Sequence, residues 1–310
     1  MPVVRGHMKL YLGIDGGQSS TTALIANESG GIIGEGRGGP CNHVAAPERR
    51  EKFVRTIGDC IAQACQQAGI DPASASFAAA CFGFSGGAED KEPYVRELVR
   101  SAKYKFTHDA EIALTGATGG EPGIIVIAGT GSMAFGRNVA GATARAGGWG
   151  YIFGDEGGAF DLTRRALRAA LQYEEGWGPH TALHALLLDV AGAPDANTLM
   201  HRFYNQFDHA DMASLAPLVT RAAEDGDRVA VEIVDQAARK LAWYVQGVHG
   251  HLFTPGESVP VAYIGGAFQS APLLEGFVRA IHESIGCTAR VPRFGPAEGA
   301  ILEALRLDSH

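Results

Sequence analysis

The feature that most constrains the fold is a pattern that occurs twice, in which an apolar strand runs into a short turn of glycine, serine and threonine. The first copy is "KLYLGIDGGQSSTTALIA" from Lys9, and the second is "GIIVIAGTGSMAFGRN" from Gly123. Each reads as a buried strand, a turn and a hairpin partner. A third short strand follows each hairpin, at "GIIGEGRGG" and near "ATARAGG". This recurrence predicts the same layered α/β unit twice in one chain.

Helices and further strands complete both copies. After the first hairpin, helical spacing of apolar residues predicts a helix over 47–68, then a strand "FAAACFGFSGG", a helix near 94–102 and a strand "YKFTHDA". After the second, a helical insert at about 157–250 precedes the strand "PVAYIGGAF", the helix "APLLEGFVRAIHESIG", the strand "CTARVPRF" and the helix "PAEGAILEALRL". The prediction is an α/β protein with two lobes, residues 1–115 and 116–310, that face each other across a cleft.

The composition narrows the function. The 310 residues carry a net charge of -8, and basic residues never form a run longer than two arginines, which argues against a nucleic acid or an anionic membrane as partner. Five cysteines, an odd number without any CxxC pair, fit reduced thiols in a cytoplasmic protein better than a disulfide or zinc framework. No apolar run approaches the ~18 residues of a membrane span.

The glycine turns carry residue types that bind phosphate. Glycines let the backbone approach closely, hydroxyls donate to phosphate oxygens, and an acid at a strand end can orient hydrated magnesium. Each turn alone could be a plain turn, but two at equivalent positions favour a phosphate site, and a third glycine turn before a helix could accept adenosine. We expect a nucleotide to contact Asp15, Gly16, Gly17, Gln18, Ser19, Ser20, Thr21, Gly129, Thr130, Gly131, Ser132, Gly265 and Gly266, with Mg²⁺ held by Asp15 through water.

Taken together, the motifs "DGGQSSTTALI", "GGPCNH", "FSGG", "THDA", "IAGTGS", "GGWGYIFGDEGGAF" and "IGGAF" resemble the superfamily of actin, heat-shock chaperones and sugar kinases. Within it, the chain resembles the N-acetylglucosamine kinase branch of the BadF/BadG/BcrA/BcrD ATPase-like family, over residues 9–307. This branch also contains glucosamine kinases and ATPases that activate acyl-CoA reductases and dehydratases. The resemblance implies two ribonuclease-H-like lobes, ATP with Mg²⁺, a small amino sugar as acceptor, and a cytoplasmic homodimer.

The resemblance also implies roles for individual residues. Asp109 in "THDA" corresponds to the catalytic base that takes the proton of the attacking sugar hydroxyl, although an aspartate here could instead cap a helix. Gln18 departs from the small residue that the family usually has in the first phosphate turn. The expected sugar pocket comprises Asn42, His43, Ser85, Gly86, Asp109, Thr130, Gly148, Trp149, Gly150 and Asp155.

Two functions follow from this resemblance. The favoured one is transfer of the ATP γ-phosphate to the 6-hydroxyl of N-acetylglucosamine, or else of glucosamine. The alternative is an ATP-hydrolysing activator of an acyl-CoA reductase or dehydratase, whose iron-sulfur cluster would need cysteines at a strand-helix junction; Cys287 is the one candidate. Next to the expected sugar residues, Glu156 is expected to cap the first helix of the insert.

Overall fold

The computed structural model describes residues 9–17, 20–41 and 47–309, and these form two compact units. The first unit takes the described residues up to Glu121 and from Pro292 onward, and the second is Pro122–Val291. Each unit has its own five-stranded mixed sheet.

The first unit is built on strands whose buried apolar runs end in turns. Its sheet has the order β3-β2-β1-β4-β5, in which β1, β2 and β3 are antiparallel neighbours while β4 and β5 run parallel to β1. Its elements up to residue 121 are β1 (Tyr11–Gly16), β2 (Thr21–Ala26), β3 (Ile32–Gly38), α1 (Pro47–Gln67), β4 (Phe77–Phe84), α2 (Glu92–Leu98), β5 (Ser101–His108) and α3 (Asp109–Thr118).

The second unit repeats this topology and adds helices between its third and fourth strands. Its sheet has the order β10-β9-β6-β7-β8, which matches the first sheet when read in reverse. Its elements are β6 (Gly123–Ala128), β7 (Ser132–Arg137), β8 (Thr143–Gly147), α4 (Ala159–Glu174), α5 (Leu183–Ala191), α6 (Ala196–Gln206), α7 (His209–Ser214), α8 (Ala216–Glu224), α9 (Arg228–Leu252), β9 (Pro260–Ile264), a 3₁₀ turn (Gly266–Gln269), α10 (Ala271–Ile285) and β10 (Thr288–Arg290). The predicted duplication and helical insert are confirmed.

The last helix, α11 (Pro296–Ser309), corrects the predicted division of the chain, which placed it in the second lobe. It packs on the first sheet and on α3 because glycines remove the side chains that would keep it away. A Cβ at Gly13 of β1 would lie 2.7 Å from the backbone nitrogen of Ile301, and a Cβ at Gly299 would lie 1.9 Å from the carbonyl oxygen of Ile112.

A buried ion pair also ties α11 to the first unit. The Nζ atom of Lys105 on β5 lies 2.6 Å from Oε2 of Glu303 and 2.7 Å from Oε1 of Glu111 on α3. The Glu303 side chain is 5% exposed, so its charge depends on this pairing. Helix α3 itself was not predicted, and α2 begins and ends earlier than the predicted 94–102.

The cysteines and the helices also bear on the predictions made from composition. All five cysteines are free and buried, and burial raises the pKa of each thiol. No helix within the described ranges is long and apolar enough to cross a membrane.

Candidate active site

Three polar side chains lie where parallel strands of the first sheet end. Asp15 is the next-to-last residue of β1, Ser85 directly follows β4, and Asp109 directly follows β5. The parallel register pairs Asp15 with Gly83, next to the end of β4, and the amide of Ser85 donates a 3.0 Å hydrogen bond to the carbonyl of Gly16. The carboxyl ends of adjacent parallel strands are a common place for ligand sites in α/β folds.

Asp109 is held as a hydrogen-bond acceptor. The hydroxyl of Ser85 donates to its Oδ2, and the amide of Ala110 donates to its Oδ1 at 2.8 Å. Asp109 is also the first residue of α3, where the helix dipole favours a negative charge. Asp109 is therefore both the first residue of a helix and a carboxylate oriented by a second side chain, and its catalytic role stays a prediction.

Asp15 carries the most perturbed carboxyl group of this cluster. Burial raises its pKa from 3.8 to about 7, and the negative charge of Asp109 acts in the same direction. A partly buried carboxylate beside a second carboxylate favours a cation, because a positive charge would offset both the burial and the repulsion between the two acids.

The loop after β4 is held from beneath by a buried lysine. Gly86 and Gly87 have φ of +74° and +93°, which glycine adopts without strain. The side chain of Lys91 is fully buried, and its Nζ donates to the carbonyl of Gly87 and to Oδ1 of Asp90, both at 2.9 Å. Lys91 thus fixes the loop that carries Ser85.

The hydroxyls of Thr21 and Ser132, two residues predicted to contact the phosphates, donate to backbone carbonyls. Both are buried; Thr21 Oγ1 donates to the carbonyl of Gly39 at 2.7 Å, and Ser132 Oγ donates to that of Glu156 at 2.7 Å. A hydroxyl has one proton to donate, and here each donates it to a carbonyl, so their contact with phosphate stays a prediction. Thr21 begins β2 and Ser132 begins β7, and each hydroxyl bonds to the loop that follows the next strand, β3 or β8.

The second glycine turn is attached to the start of α4. The amides of Ala159 and Phe160 donate to the carbonyls of Gly129 and Thr130, at 2.8 and 3.1 Å. Close packing here requires Gly158, because a Cβ on it would lie 2.9 Å from the carbonyl oxygen of Thr130. Thr130 itself is exposed at the tip of the turn.

Asp155 lies against the same turn. It is 7% exposed and is the one described non-glycine residue with positive φ, +63°. Its Oδ2 is so near Gly131 that a Cβ there would lie 2.4 Å from it. Burial raises the pKa of Asp155, while hydrogen bonds from the amides of Ser132 and Gly150 oppose that rise. The predicted sugar residue and the predicted phosphate turn are therefore in contact.

The predicted sugar loop is otherwise open to solvent. Gly148 and Gly150 are exposed and adopt φ of +72° and +80°. Trp149 is 66% exposed, and the guanidinium of Arg145 lies 4.7 Å from the centre of its ring. This leaves backbone and one aromatic face available to a ligand.

Glu156 does not cap the insert's first helix as expected. Helix α4 begins at Ala159, and its first turn carries Asp161. Glu156 instead accepts a hydrogen bond from the hydroxyl of Tyr244 on α9, and the amide of Glu156 donates back to that hydroxyl at 3.3 Å. Burial, and next this hydrogen bond, raise the pKa of Tyr244 well above its usual value.

A cavity of about 630 Å³ in the second unit joins two of the predicted nucleotide turns. It contains Gly129 and Thr130 at one side and Gly266 at another. Gly265 has φ of +112°, and a Cβ there would lie 2.2 Å from the carbonyl oxygen of Ala128, so β9 can end directly beside β6 only with glycine. Helices of the insert supply most of the remaining wall, namely Ala159, Leu162, Ala210, Ala213, Ser214, Ala216, Pro217, Thr220 and Glu224.

Four predicted site residues, Gln18, Ser19, Asn42 and His43, lie outside the described residues. Of the other nucleotide residues, Gly16 and Gly17 are in the first turn, where a Cβ at Gly16 would lie 2.4 Å from the Phe84 ring, and Ser20 is exposed. The structure therefore gathers the predicted residues into one cluster in each unit.

This geometry agrees with a family comparison. The family model of the BadF/BadG/BcrA/BcrD ATPase family matches residues 12–304. The chain belongs to this family. Because this is a family of ATPases, membership implies that the chain uses ATP.

Characterised relatives and a solved structure extend over nearly the whole chain. An N-acetylmuramic acid/N-acetylglucosamine kinase from Clostridium acetobutylicum is 34% identical over 269 residues, 85% of this chain and 87% of the relative. A glucosamine kinase from Vibrio cholerae is 30% identical over 78% of this chain and 81% of its own. A crystal structure described as an N-acetylglucosamine kinase, from Chromobacterium violaceum, is 29% identical with a TM-score of 0.77, covering 95% of this chain and 98% of that one. The predicted actin-like two-lobe fold class is confirmed.

Several functional candidates of this family member were missed from sequence. The insert residues of the 630 Å³ cavity carry no motif, and five of the nine are alanine or serine, so only their position reveals them. Lys91 and Tyr244 were also missed. Lys91 stands between two acidic residues, a setting typical of an exposed lysine, so its burial gave no signal. Tyr244 lies in an amphipathic helix, and its partner Glu156 is 88 residues away in the chain.

Proposed function

We propose that the chain is an ATP-dependent amino-sugar kinase that transfers the γ-phosphate to the 6-hydroxyl of N-acetylglucosamine or glucosamine. The observation that carries the proposal is the oriented carboxylate of Asp109 beside the carboxyl group of Asp15, in a chain whose relatives include N-acetylglucosamine and glucosamine kinases. A carboxylate fixed by Ser85 and a helix N-terminus can accept the proton of an attacking hydroxyl.

In this proposal the two units contribute different groups. The 630 Å³ cavity takes the adenosine of ATP, with backbone of Gly129 and Gly266 in its wall. Asp109 orients the sugar hydroxyl and removes its proton, while Asp155, Trp149 and the glycines around it contact the rest of the sugar. Ser85 keeps the carboxylate of Asp109 turned toward the hydroxyl.

Asp15 fits a magnesium site in its chemistry. Its carboxyl oxygens are hard ligands, and its raised pKa reflects a buried charge that lacks compensation. Magnesium bound through water would neutralise charge on the transferring phosphate.

A coupled assay of ADP release tests this proposal. N-acetylglucosamine, glucosamine and glucose are offered as acceptors to the wild type, to Asp109→Asn and to Asp59→Asn, which changes an exposed aspartate on α1. We expect ADP release to require a hexosamine, to fall by about 10²–10⁴ in Asp109→Asn, and to be unchanged in Asp59→Asn. ATP hydrolysis without any sugar, retained in Asp109→Asn, would support the activator function instead.

The buried cysteines favour the kinase over the activator. Thiolates ligate iron-sulfur clusters, and all five thiols have raised pKa values because they are buried. Free cysteines also fit a reducing, cytoplasmic setting. We propose a cytoplasmic homodimer by resemblance, which analytical ultracentrifugation would test.

A further inference from the structure

The second unit contains another cavity, and none of the predicted site residues lies in its wall. It has a volume of about 500 Å³ and lies among α4, α6 and α7, within the size range of small-molecule sites. Its wall shares no residue with the nucleotide cavity. Helices α4 and α7 separate the two, because α7 presents His209 and Met212 to one cavity and Ala210 and Ala213 to the other.

Most of this wall is apolar and aromatic. The rings of Tyr151, Phe160 and His209 pack against one another with centroids 4.6 to 5.0 Å apart and form one end. At the rim, Tyr204 is 84% exposed and Met200 is 48% exposed. The remaining apolar wall consists of Leu167, Leu171, Leu199, Phe203, Phe207 and Met212. An apolar body can therefore enter from solvent and lie between the helices.

Two nitrogen atoms of residues in this wall are buried without a hydrogen-bond partner. Arg164 donates to Oδ1 of Asp161 at 2.6 Å and to the carbonyl of Tyr151 at 3.2 Å, but its Nε is buried without a hydrogen-bond partner. The Nε2 atom of His209 is likewise buried without one. Buried polar nitrogens usually have a partner, so a ligand oxygen at this position would satisfy an existing demand.

Of the two arginines in this wall, Arg164 is paired with Asp161 and Arg168 is not. Arg168 lies one helical turn beyond Arg164 on α4, is exposed, and makes no hydrogen bond or ion pair within the described part of the chain. Asp208 is the acid in this wall, and its Oδ1 accepts from the amides of Ala210 and Asp211, so that it caps α7. The unpaired guanidinium of Arg168 favours an anion.

We propose that this cavity is a second ligand site, which binds a small carboxylate with an apolar aromatic or alkyl body. The carboxylate faces Arg164, Arg168 and His209, and the body lies among the leucine, methionine and phenylalanine side chains of α4, α6 and α7. A sugar would leave its hydroxyls unpaired against this wall, which distinguishes the site from the acceptor site.

Calorimetric titration of the full chain tests this site with 2-naphthoate and its neutral isostere, 2-naphthamide. The variants are Arg168→Gln, which removes an exposed and unpaired charge, and Met200→Trp, which fills the mouth of the cavity. Arg221→Gln is the matched control, since Arg221 is an exposed arginine of the same insert that lines neither cavity. Each titration is repeated with saturating ADP.

We expect one molecule of 2-naphthoate per chain, and about tenfold weaker binding both for 2-naphthamide and for Arg168→Gln, because a charge-assisted contact is lost. Met200→Trp should abolish binding, while Arg221→Gln and ADP should leave it unchanged. The proposal is overturned if 2-naphthoate does not bind, if it binds no better than the amide, if Met200→Trp binds normally, or if ADP displaces it.

Discussion

Replacing Asp15 by asparagine should make the protein more stable above pH 7 while removing its activity. An acid whose pKa is higher in the folded state than in the unfolded chain holds more protons when folded, at every pH between the two values. Stability therefore falls as the pH rises through that interval and is constant above it. For Asp15 the interval runs from 3.8 to about 7.

The size of the effect follows from this interval. A difference of about three pH units, at 1.36 kcal/mol for each, corresponds to ~4 kcal/mol of unfolding free energy that the carboxyl group removes between pH 4 and pH 8. Asparagine does not titrate and has nearly the same shape. The variant should match the wild type near pH 4 and exceed it by up to ~4 kcal/mol at pH 8.

Urea unfolding at half-unit steps from pH 4 to pH 8 measures this difference, with Asp59→Asn as the control for loss of one exposed carboxylate. The control should run parallel to the wild type. If Asp15→Asn also runs parallel to the wild type over the whole range, Asp15 is not held with a raised pKa, and the assignment of its neighbourhood as a cation site loses its basis.

The same variant separates stability from function. MgADP should raise the melting temperature of the wild type more than ADP with EDTA does, because a ligand that binds only the folded state stabilises it. In Asp15→Asn the additional shift from magnesium should disappear. An equal magnesium-dependent shift in both proteins would place the metal elsewhere.

Three further substitutions test the framework around the site. Gly131→Ala puts a Cβ 2.4 Å from Oδ2 of Asp155, so we expect the KM for hexosamine to rise about tenfold or more, which steady-state kinetics will show; an unchanged KM would mean that Asp155 does not contact the sugar. Tyr244→Phe keeps the ring and removes the hydroxyl that donates to Glu156, so urea unfolding should report a loss of about 1–2 kcal/mol, and no loss would contradict the described pair. Lys91→Met removes two buried hydrogen bonds beneath the loop after β4, so both kcat and melting temperature should fall, whereas a fall in melting temperature alone would show that the loop does not depend on it.

The strands could be predicted because their signal is local. β1 and β6 are buried along almost their whole length, and glycine turns mark where they end. Helix α3 could not be predicted in this way. Eight of its ten residues are buried, so the sequence "DAEIALTGAT" lacks the polar face that reveals an amphipathic helix.

The parts of the site that sequence reasoning missed depend on contacts distant in the chain. Glu156 and Tyr244 are 88 residues apart, and Lys105 and Glu303 are 198 residues apart. Periodicity and turn signals report neighbours along one element and contain no information on such pairs. The placement of α11 also depends on contacts that are distant in the chain, between Gly13 of β1 and α11 and between Gly299 of α11 and α3.

The two sheets share a framework but differ in chemistry. Gly16 pairs with Thr21 at the end of the first hairpin, as Ala128 pairs with Ser132 at the end of the second, and both hydroxyls tie down the loop after the third strand. One position before these strand ends, however, β1 has Asp15 and β6 has the apolar Ile127.

The same contrast holds at the fourth strands, where β4 is followed by Ser85 and β9 by Gly265. Side chains with acid and hydroxyl groups are therefore concentrated at the strand ends of the first unit, and bare backbone at those of the second. A carboxylate at Ile127 would add negative charge beside the turn that we assign to phosphate, which explains why the repeat is symmetric in its hydrogen bonds but not in its charges.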